Sequence, residues 1–302
     1  MSAADVEGAL SPQGIGHWAR SIPWVGAIWT FMRKRPLAGI AGSFVFILVA
    51  AAVLADLVSP YGPYERPGEP LAAPSFDFLF GTDQLGRDVF SRVIFGARLS
   101  LLIGLSVTLF AGIVGVFLAM VGGYFGGIID LILNALVDAV LAFPALVIAI
   151  ALVAALGPAT ENVVIAVLLP FTARIARVIR SRVLTVAAMP YVDAATSLGA
   201  SRMRVVLQHV LPNIMAPVIV LLSIFLPAAM LVEAGLSFLG LGPPPPTASW
   251  GRMLSEEGQQ FYRSAPWLVI WPGMALSVAV IAFNLLGDGL RDHLDPRLRG
   301  QE

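Results

Sequence analysis

The chain has 302 residues, of which 58% are hydrophobic and only 13% are charged, and its mean hydropathy is +0.84. Soluble domains carry about a quarter charged residues, and a soluble core of this size cannot bury so much apolar surface. The composition therefore excludes a soluble enzyme and a disordered scaffold. The 19 basic and 19 acidic residues cancel, which gives no basis for nucleic-acid binding. The lack of cysteine excludes disulfides, thiolate catalysis and cysteine-bound metals.

Five uncharged stretches are long enough to cross a bilayer, for which a helix needs about 20 apolar residues. They cover residues 37–55, 99–129, 139–160, 210–232 and 264–287, and the second also has room for a glycine-rich turn at 122–127. We therefore predict an all-α membrane protein.

A sixth candidate, residues 162–173, has only 12 uncharged residues before Arg174. It can span the membrane only if its helix continues, with Arg174, Arg177 and Arg180 snorkelling toward the cytoplasmic surface. Otherwise its length suits a re-entrant segment.

The distribution of basic residues favours six spans with both termini in the cytoplasm. That topology places most of the 19 basic residues inside, whereas five spans from a cytoplasmic N-terminus place most of them outside. Five spans from an external N-terminus fit the count equally well. The cluster Arg33-Lys34-Arg35 abuts the first span and decides for six.

This topology divides the chain into consecutive parts. We predict a cytoplasmic N-terminal segment (1–36), a first transmembrane helix (37–59), an extracytoplasmic loop (60–96), a five-helix core (97–290) with a cytoplasmic loop at about 181–209, and a cytoplasmic tail (291–302). The tryptophan-containing N-terminal segment suits either a solvated tail or an amphipathic helix at the membrane surface.

The residues that an ATPase or hydrolase needs are missing from the sequence. The only lysine, Lys34, does not follow a glycine-rich turn, so the chain has no P-loop. The sequence Gly240-Leu-Gly242 leads into four prolines, which lack the amide hydrogens of a phosphate cradle. Neither a serine-histidine-aspartate arrangement on a nucleophile turn nor a His-Glu-x-x-His motif is present. We therefore expect no catalytic site.

The longest cytoplasmic loop has the signals of two short helices joined by an elbow. Pro190 can open the first helix, with Asp193 in its first turn. Gly199 can end it in a left-handed conformation, and Ser201 can cap a second helix that runs into the fifth span.

One face of the first short helix carries small residues, because Ala194, Ala195 and Leu198 fall together by helical spacing. Two interpretations are open: an amphipathic linker on the membrane surface, or a docking site for another protein. His209, beside the elbow, suits local hydrogen bonding better than metal ligation.

Several polar residues lie within the predicted spans. Asp130, Asn134 and Asp138 share one helical face at i, i+4 and i+8, and an intramembrane acid must face protein or water. Either pairing with Arg174 or Arg177, or contact with a transported substrate, would satisfy them. The residues left open between a structural role and the translocation path are Asn134, Asp138, Glu233 and Asn284.

The loop resembles the Glu-Ala-Ala loop of bacterial ABC importer permeases. That motif has an acid, two alanines, a glycine four positions later and a Leu-Pro pair. Here these are Asp193-Ala194-Ala195, Gly199 and Leu211-Pro212, with aspartate in place of glutamate and His209 where an aliphatic residue is usual.

Other stretches are similar to the dipeptide and oligopeptide branch of that family, over roughly residues 36–300. They are Phe80-Gly-Thr-Asp-Gln-Leu-Gly-Arg-Asp88, Ala142-Phe-Pro144, Leu236-Ser-Phe-Leu-Gly-Leu-Gly242 and Phe283-Asn-Leu-Leu-Gly-Asp-Gly-Leu-Arg291. The resemblance is to the second, C-type permease subunit.

The resemblance implies a type I importer fold in the bacterial inner membrane, working with a homologous second permease, two cytoplasmic ATPase domains that bind ATP and Mg, and an extracytoplasmic binding protein. It implies no cofactor in this chain. Loops 60–95 and 240–263 would face the binding protein. Coupling to the ATPase would fall to Tyr191, Asp193, Ala194, Ala195, Leu198, Gly199, Ala200, Arg202, Leu211 and Pro212.

The cargo implied is a di- or oligopeptide, with glutathione or nickel chelates as alternatives within the same family. A stand-alone channel or secondary carrier is the hypothesis from another class. A carrier would need broken helices and buried charges at the midplane, whereas the charges here crowd the ends of the spans.

Overall fold

The computed structural model describes residues 36–294, without the side chains of Glu256, Glu257, Gln259 and Leu294. The predicted N-terminal segment and most of the C-terminal tail lie outside the described residues. Within 36–294 the regular structure is helical, apart from one isolated bridge between Thr82 and Asp88. The predicted all-α class is confirmed.

Twelve helices and one π-turn follow one another in the described part of the chain. They are α1 (Pro36–Val53), α2 (Ala55–Val58), α3 (Val89–Phe125), α4 (Gly127–Leu141), α5 (Ala145–Leu156), α6 (Thr160–Ala187), α7 (Pro190–Ser197), α8 (Arg202–Val205), the π-turn Val206–Val210, α9 (Leu211–Phe238), α10 (Trp250–Met253), α11 (Glu256–Phe261) and α12 (Trp267–Leu294).

Five helical stretches are long and apolar enough to cross a membrane: α1, α3, α6, the run from α8 through α9, and α12. The pair α4 and α5, which is bent by 88°, is apolar enough to supply a sixth span if the two helices cross the membrane together. The short sixth candidate of the sequence is part of α6, whose helix does continue past Arg174 and is not re-entrant.

The prediction of one continuous third span over residues 139–160 is wrong. Its helix breaks after Leu141 and restarts at Ala145, with Pro144 in an extended conformation between them. Proline has no amide hydrogen and disfavours helical geometry at the residue before it, here Phe143. The span is therefore built from two half-length helices.

The helix of the second span begins earlier than predicted, at Val89, so the loop before it is shorter than 60–96. Asp88 caps α3 by accepting a hydrogen bond from the backbone N–H of Ser91 at 2.8 Å. The helix then continues as far as Phe125, and the predicted turn at 122–127 narrows to Gly126 and Gly127, where φ is +67° and +62°.

α6 lies at the centre of the bundle, packed against α3 and α9. Its buried residues include Phe171 and Ile175. Glycines in α3 let the helices approach closely, because a Cβ atom at Gly115 would lie 2.7 Å from Ile175 Cγ2, and one at Gly112 would lie 2.7 Å from Leu222 Cδ2. Such small-residue contacts drive helix packing where lipid removes the hydrophobic advantage.

The loops at one end of the bundle, residues 59–88 and 239–266, pack together into what we call the cap. The Asp83 carboxylate turns the first loop by accepting hydrogen bonds from the N–H groups of Leu85 and Arg87 at 2.8 and 3.0 Å. Trp267 Nε1 donates to the Thr82 carbonyl at 3.0 Å, which ties this loop to the start of α12.

The second loop of the cap is fixed to α3 and α9. Trp250 Nε1 donates to the Val93 carbonyl at 2.9 Å. A Cβ atom at Gly251 would lie 2.5 Å from the Ala234 Cα, so backbone rests on backbone there. The cap is therefore continuous with the spans beneath it.

Candidate functional site

The elbow between α6 and α9 has the geometry that the sequence predicts. α7 runs from Pro190 to Ser197, and Gly199 follows it with φ of +85°. The N–H of Gly199 donates to the Thr196 carbonyl at 3.0 Å, and that of Ala200 to the Ala195 carbonyl at 3.1 Å. This closure satisfies carbonyls at the helix end and sets the direction in which the chain leaves α7.

The second short helix joins the fifth span through a π-turn. Ser201 caps α8 by accepting from the Arg204 N–H at 3.4 Å, as predicted. The chain then passes through Val206–Val210 into α9, where Leu211 is partly buried and Pro212 is exposed. We did not predict the π-turn. Pro212 is its physical cause, because proline cannot donate the i→i−4 hydrogen bond and crowds the preceding turn.

The predicted common face of Ala194, Ala195 and Leu198 is wrong in part. Ala195 is half-buried and packs with Val192 and Ala200 against the core of the bundle. The outward side carries Tyr191, Asp193, Ala194 and Leu198, of which Leu198 is 88% exposed. The reason is that Val192, which the sequence analysis passed over, anchors α7 and turns its i+3 neighbour Ala195 inward.

His209 lies in the π-turn with its ring beside Tyr191, the ring centroids being 6.3 Å apart. Its carbonyl accepts a hydrogen bond from Asn213 Nδ2 at 2.7 Å. Across residues 36–294 no three histidine or acidic side chains gather into a group able to hold a metal. His209 thus connects the elbow to the first turn of α9. Arg202 is exposed in the neighbouring helix α8.

The polar face of α4 is paired with arginines of α6. Arg180 makes a bidentate contact with Asp130, at 2.6 Å from Nε to Oδ1 and 2.5 Å from Nη2 to Oδ2. Asn134 Nδ2 donates to the same carboxylate at 2.6 Å, and Asp138 forms an ion pair with Arg177.

These pairs use one expected arginine and one that we missed. Arg177 was an expected partner, whereas Arg180 was not. The missed signal was that acids and arginines each recur at helical spacing on helices that run antiparallel. Arg174, the other expected partner, is exposed and stacks on Phe171, with 6.0 Å from the guanidinium carbon to the ring centroid. The snorkelling of the three arginines toward the cytoplasmic surface stays a prediction.

The remaining polar candidates lie apart from one another. Glu233 is buried in α9 and accepts hydrogen bonds from Ser237 Oγ at 2.7 Å and from Ser249 Oγ at 3.1 Å. Because Ser249 also caps α10, Glu233 ties the fifth span to the cap. Asn284 is exposed on α12.

Known proteins resemble this chain along nearly its whole length. It is 38% identical over 290 residues to the dipeptide transport system permease protein DppC of Alkalihalophilus pseudofirmus, covering 96% of this chain and 95% of that one. It is also 38% identical over 282 residues to the glutathione transport system permease protein GsiD of Pectobacterium atrosepticum, with 92% of each chain covered.

A family model matches as well, and it spans residues 111–300. The matched region contains the bent pair α4–α5, the elbow and the spans on both sides of it. The chain belongs to the family of binding-protein-dependent transport system inner membrane components.

Proposed function

We propose that this chain is a permease subunit of an ATP-driven importer that carries peptides across the bacterial inner membrane. The support for the cargo is that relatives named for dipeptide and glutathione transport both align over at least 92% of this chain. Glutathione is itself a tripeptide, so the two names describe one chemical class.

The observation that carries the proposal is the elbow. Its outward side exposes Leu198 and Ala194, which suits insertion into a groove of a partner, while Val192 holds the same helix to the core. Since the chain has no P-loop lysine, ATP and Mg would bind to separate ATPase subunits. Closure of those subunits would push α7, and α6 and α9 would move with it.

A stiff elbow is what such coupling needs. Inverting a two-state population from 1:99 to 99:1 takes about 5.5 kcal/mol of differential binding. A flexible loop would change its own conformation instead of transmitting this free energy to the spans. The left-handed Gly199 with its two closing hydrogen bonds provides a connection with a defined direction.

In this topology the elbow and both termini lie in the cytoplasm, and the cap faces the binding protein on the other side. A second, homologous permease would complete the translocation path. The exposed apolar residues of α1, such as Phe46 and Ile47, would contact lipid. With six spans the elbow and the cap fall on opposite sides of the membrane, as this division requires.

A secondary carrier is the competing function, because the bent pair α4–α5 is the kind of broken span that carriers use. The two are separated by reconstituting the full complex in vesicles and measuring uptake of a labelled dipeptide with and without internal ATP. We expect uptake that requires ATP, the ATPase subunits and the binding protein. ATP-independent uptake by this chain alone would establish the carrier instead.

A further inference from the structure

Arg174 is a charged residue near the middle of a membrane-spanning helix. At 1.5 Å per residue it lies about 20 Å along α6 from either end, in a bilayer whose apolar core is about 30 Å thick. Its side chain is exposed on the surface of the chain. A guanidinium at this depth costs about 2.5 kcal/mol or more on insertion scales when it faces lipid, so it requires water, a polar partner or a ligand.

The next two arginines along α6 toward the elbow are already paired, and Arg174 is not. Asp138 and Asp130 of α4 take Arg177 and Arg180. The sequence has no acid between Asp138 and Glu161, so α4 and α5 offer none for the next arginine. Among the residues that the structure describes, Arg174 has only the stacking contact with Phe171.

The direction of the side chain argues against snorkelling toward the elbow. The guanidinium of Arg174 lies over Phe171, which is one turn closer to the start of α6. Phe171 is itself buried and packs edge-to-face on Phe225 of α9, with ring centroids 5.4 Å apart. The charge is therefore held pointing away from the end of the helix that leads to α7.

The break between α4 and α5 lies at the depth of Arg174. Only residues 157–159 connect α5 to α6, and the 12 residues of α5 span about 18 Å. The exposed break at residues 142–144 is therefore level with the middle of α6. Non-helical backbone at membrane depth is tolerated only inside protein or along a water-filled cavity, so this break faces either another protein segment or water.

A polar stripe runs from Arg174 toward the elbow. Arg177, Ser181 and Thr185 follow it at intervals of three, four and four residues, and all of them are exposed. This spacing keeps them on one side of the helix. Arg177 is paired with Asp138, and the hydroxyls of Ser181 and Thr185 donate to carbonyls of α6. Arg174 is thus the member of this stripe whose donors are left for a ligand.

We propose that Arg174 binds the carboxylate of the cargo during its passage, at a site midway through the membrane beside the α4–α5 break. A guanidinium presents a planar fork of donors that matches a carboxylate bidentately, and every unmodified peptide carries a C-terminal carboxylate. The inference rests on the proposed function, whose cargo class it specifies further.

The test uses Arg174→Cys, which introduces the only thiol of this chain. The full complex is reconstituted in vesicles, and uptake of labelled dialanine is measured at saturating binding protein. We expect uptake to fall at least about tenfold, as loss of a charge-assisted pair predicts, while ATPase stimulation by the loaded binding protein stays within about twofold. Attaching an ethylammonium group to the thiol with a methanethiosulfonate reagent should restore uptake, whereas an ethylsulfonate group should not.

Two control variants frame the result. Ile165→Cys, exposed on the apolar half of α6, should resist both charged reagents, and Arg291→Gln, an exposed arginine at the end of α12, should transport normally. Near-normal uptake by Arg174→Cys would overturn the proposal, and so would a thiol as unreactive as that of Ile165→Cys, which would mean that the site faces lipid.

Two further outcomes would also decide against the site. Loss of assembly or of ATPase stimulation in Arg174→Cys would assign Arg174 to packing against a partner, and equal rescue by both reagents would show that bulk rather than charge matters. A wild-type complex that transports no peptide would instead refute the proposed function, and this inference with it.

Discussion

Where the cap meets the spans, polar groups are buried and backbone fits against backbone, whereas the elbow at the other end of the bundle exposes most of its side chains. At this junction the buried and hydrogen-bonded residues are Asp83 and Trp250 of the cap and Glu233 of α9. In the elbow, α7 is anchored through Val192, and Leu198 stands free. The junction of the cap with the spans is therefore complete within this chain, while the elbow leaves Leu198 exposed, as the proposed docking to an ATPase subunit requires.

The largest effect is expected from the backbone of the elbow. Gly199→Val should abolish transport, because a left-handed conformation costs an L-residue about 1–2 kcal/mol, and a β-branched side chain more. No atom lies within 4 Å of the place where a Cβ would stand, so the effect is purely conformational. The measurement is dipeptide uptake by the reconstituted complex. Gly199→Asn, which tolerates this conformation better, should retain much of it, and equal loss in both variants would contradict the argument.

The next effect separates the two sides of α7. Ala194→Glu and Ala195→Glu add the same charge at adjacent positions, one exposed and one against the core. Both should stop ATPase stimulation by the binding protein, for different reasons. Thermal unfolding of this chain alone in detergent should be unchanged by Ala194→Glu and lowered by Ala195→Glu, because only the second buries an unpaired charge.

Equal melting temperatures for the two glutamate variants would mean that α7 does not rest on the bundle as described. Motion of α7 would then not be passed to the spans, since the burial of Val192 is what connects this helix to the bundle. Copurification of ATPase subunits supplies the second readout. Ala194→Glu should reduce it, although the chain itself remains folded.

The cap should respond as a packed interior does. Gly251→Ala would place a methyl group 2.5 Å from the Ala234 Cα, and overpacking of this kind costs about 1–3 kcal/mol. Gly235→Ala is the matched control in the neighbouring helix, because its new methyl would lie 3.6 Å from Leu146 Cδ1. The melting temperature should fall for Gly251→Ala and stay unchanged for Gly235→Ala. An unchanged melting temperature for Gly251→Ala would mean that the cap is packed less closely than its contacts indicate.

The sequence predicted the elbow well and the bent span poorly, for identifiable reasons. Pro190, Gly199 and Ser201 act locally, so their capping roles can be inferred without knowing the fold. The break at Pro144 could not be seen in the hydropathy, because hydropathy is averaged over a window and the residues on both sides of the break are apolar. The burial of Ala195 and the pairing of Asp130 with Arg180 depend on how the helices pack against one another. The spacing of residues within one segment does not contain that information.

The smallest expected effects come from the two ion pairs between α4 and α6, which lie along the same face but differ in burial. Asp130 and Arg180 are 20% and 30% exposed and doubly hydrogen-bonded, whereas Asp138 and Arg177 are 61% and 47% exposed. Exposed pairs contribute about 0–1 kcal/mol, and breaking a more buried, bidentate one costs more. Asp130→Asn should therefore lower the melting temperature measurably, while Asp138→Asn should leave it nearly unchanged.

The charge-reversed double variant Asp130→Arg with Arg180→Asp separates the contribution of charge from that of shape in the more buried pair. It should recover part of the stability that either single reversal loses, because the attraction between the two helices is restored even if the bidentate geometry is not. If the double variant is no better than the sum of the singles, the pair contributes by filling the space beside Gly122, whose Cβ position lies 3.0 Å from Asp130 Oδ1. The anchoring of α4 would then rest on shape, as in the cap, and not on charge.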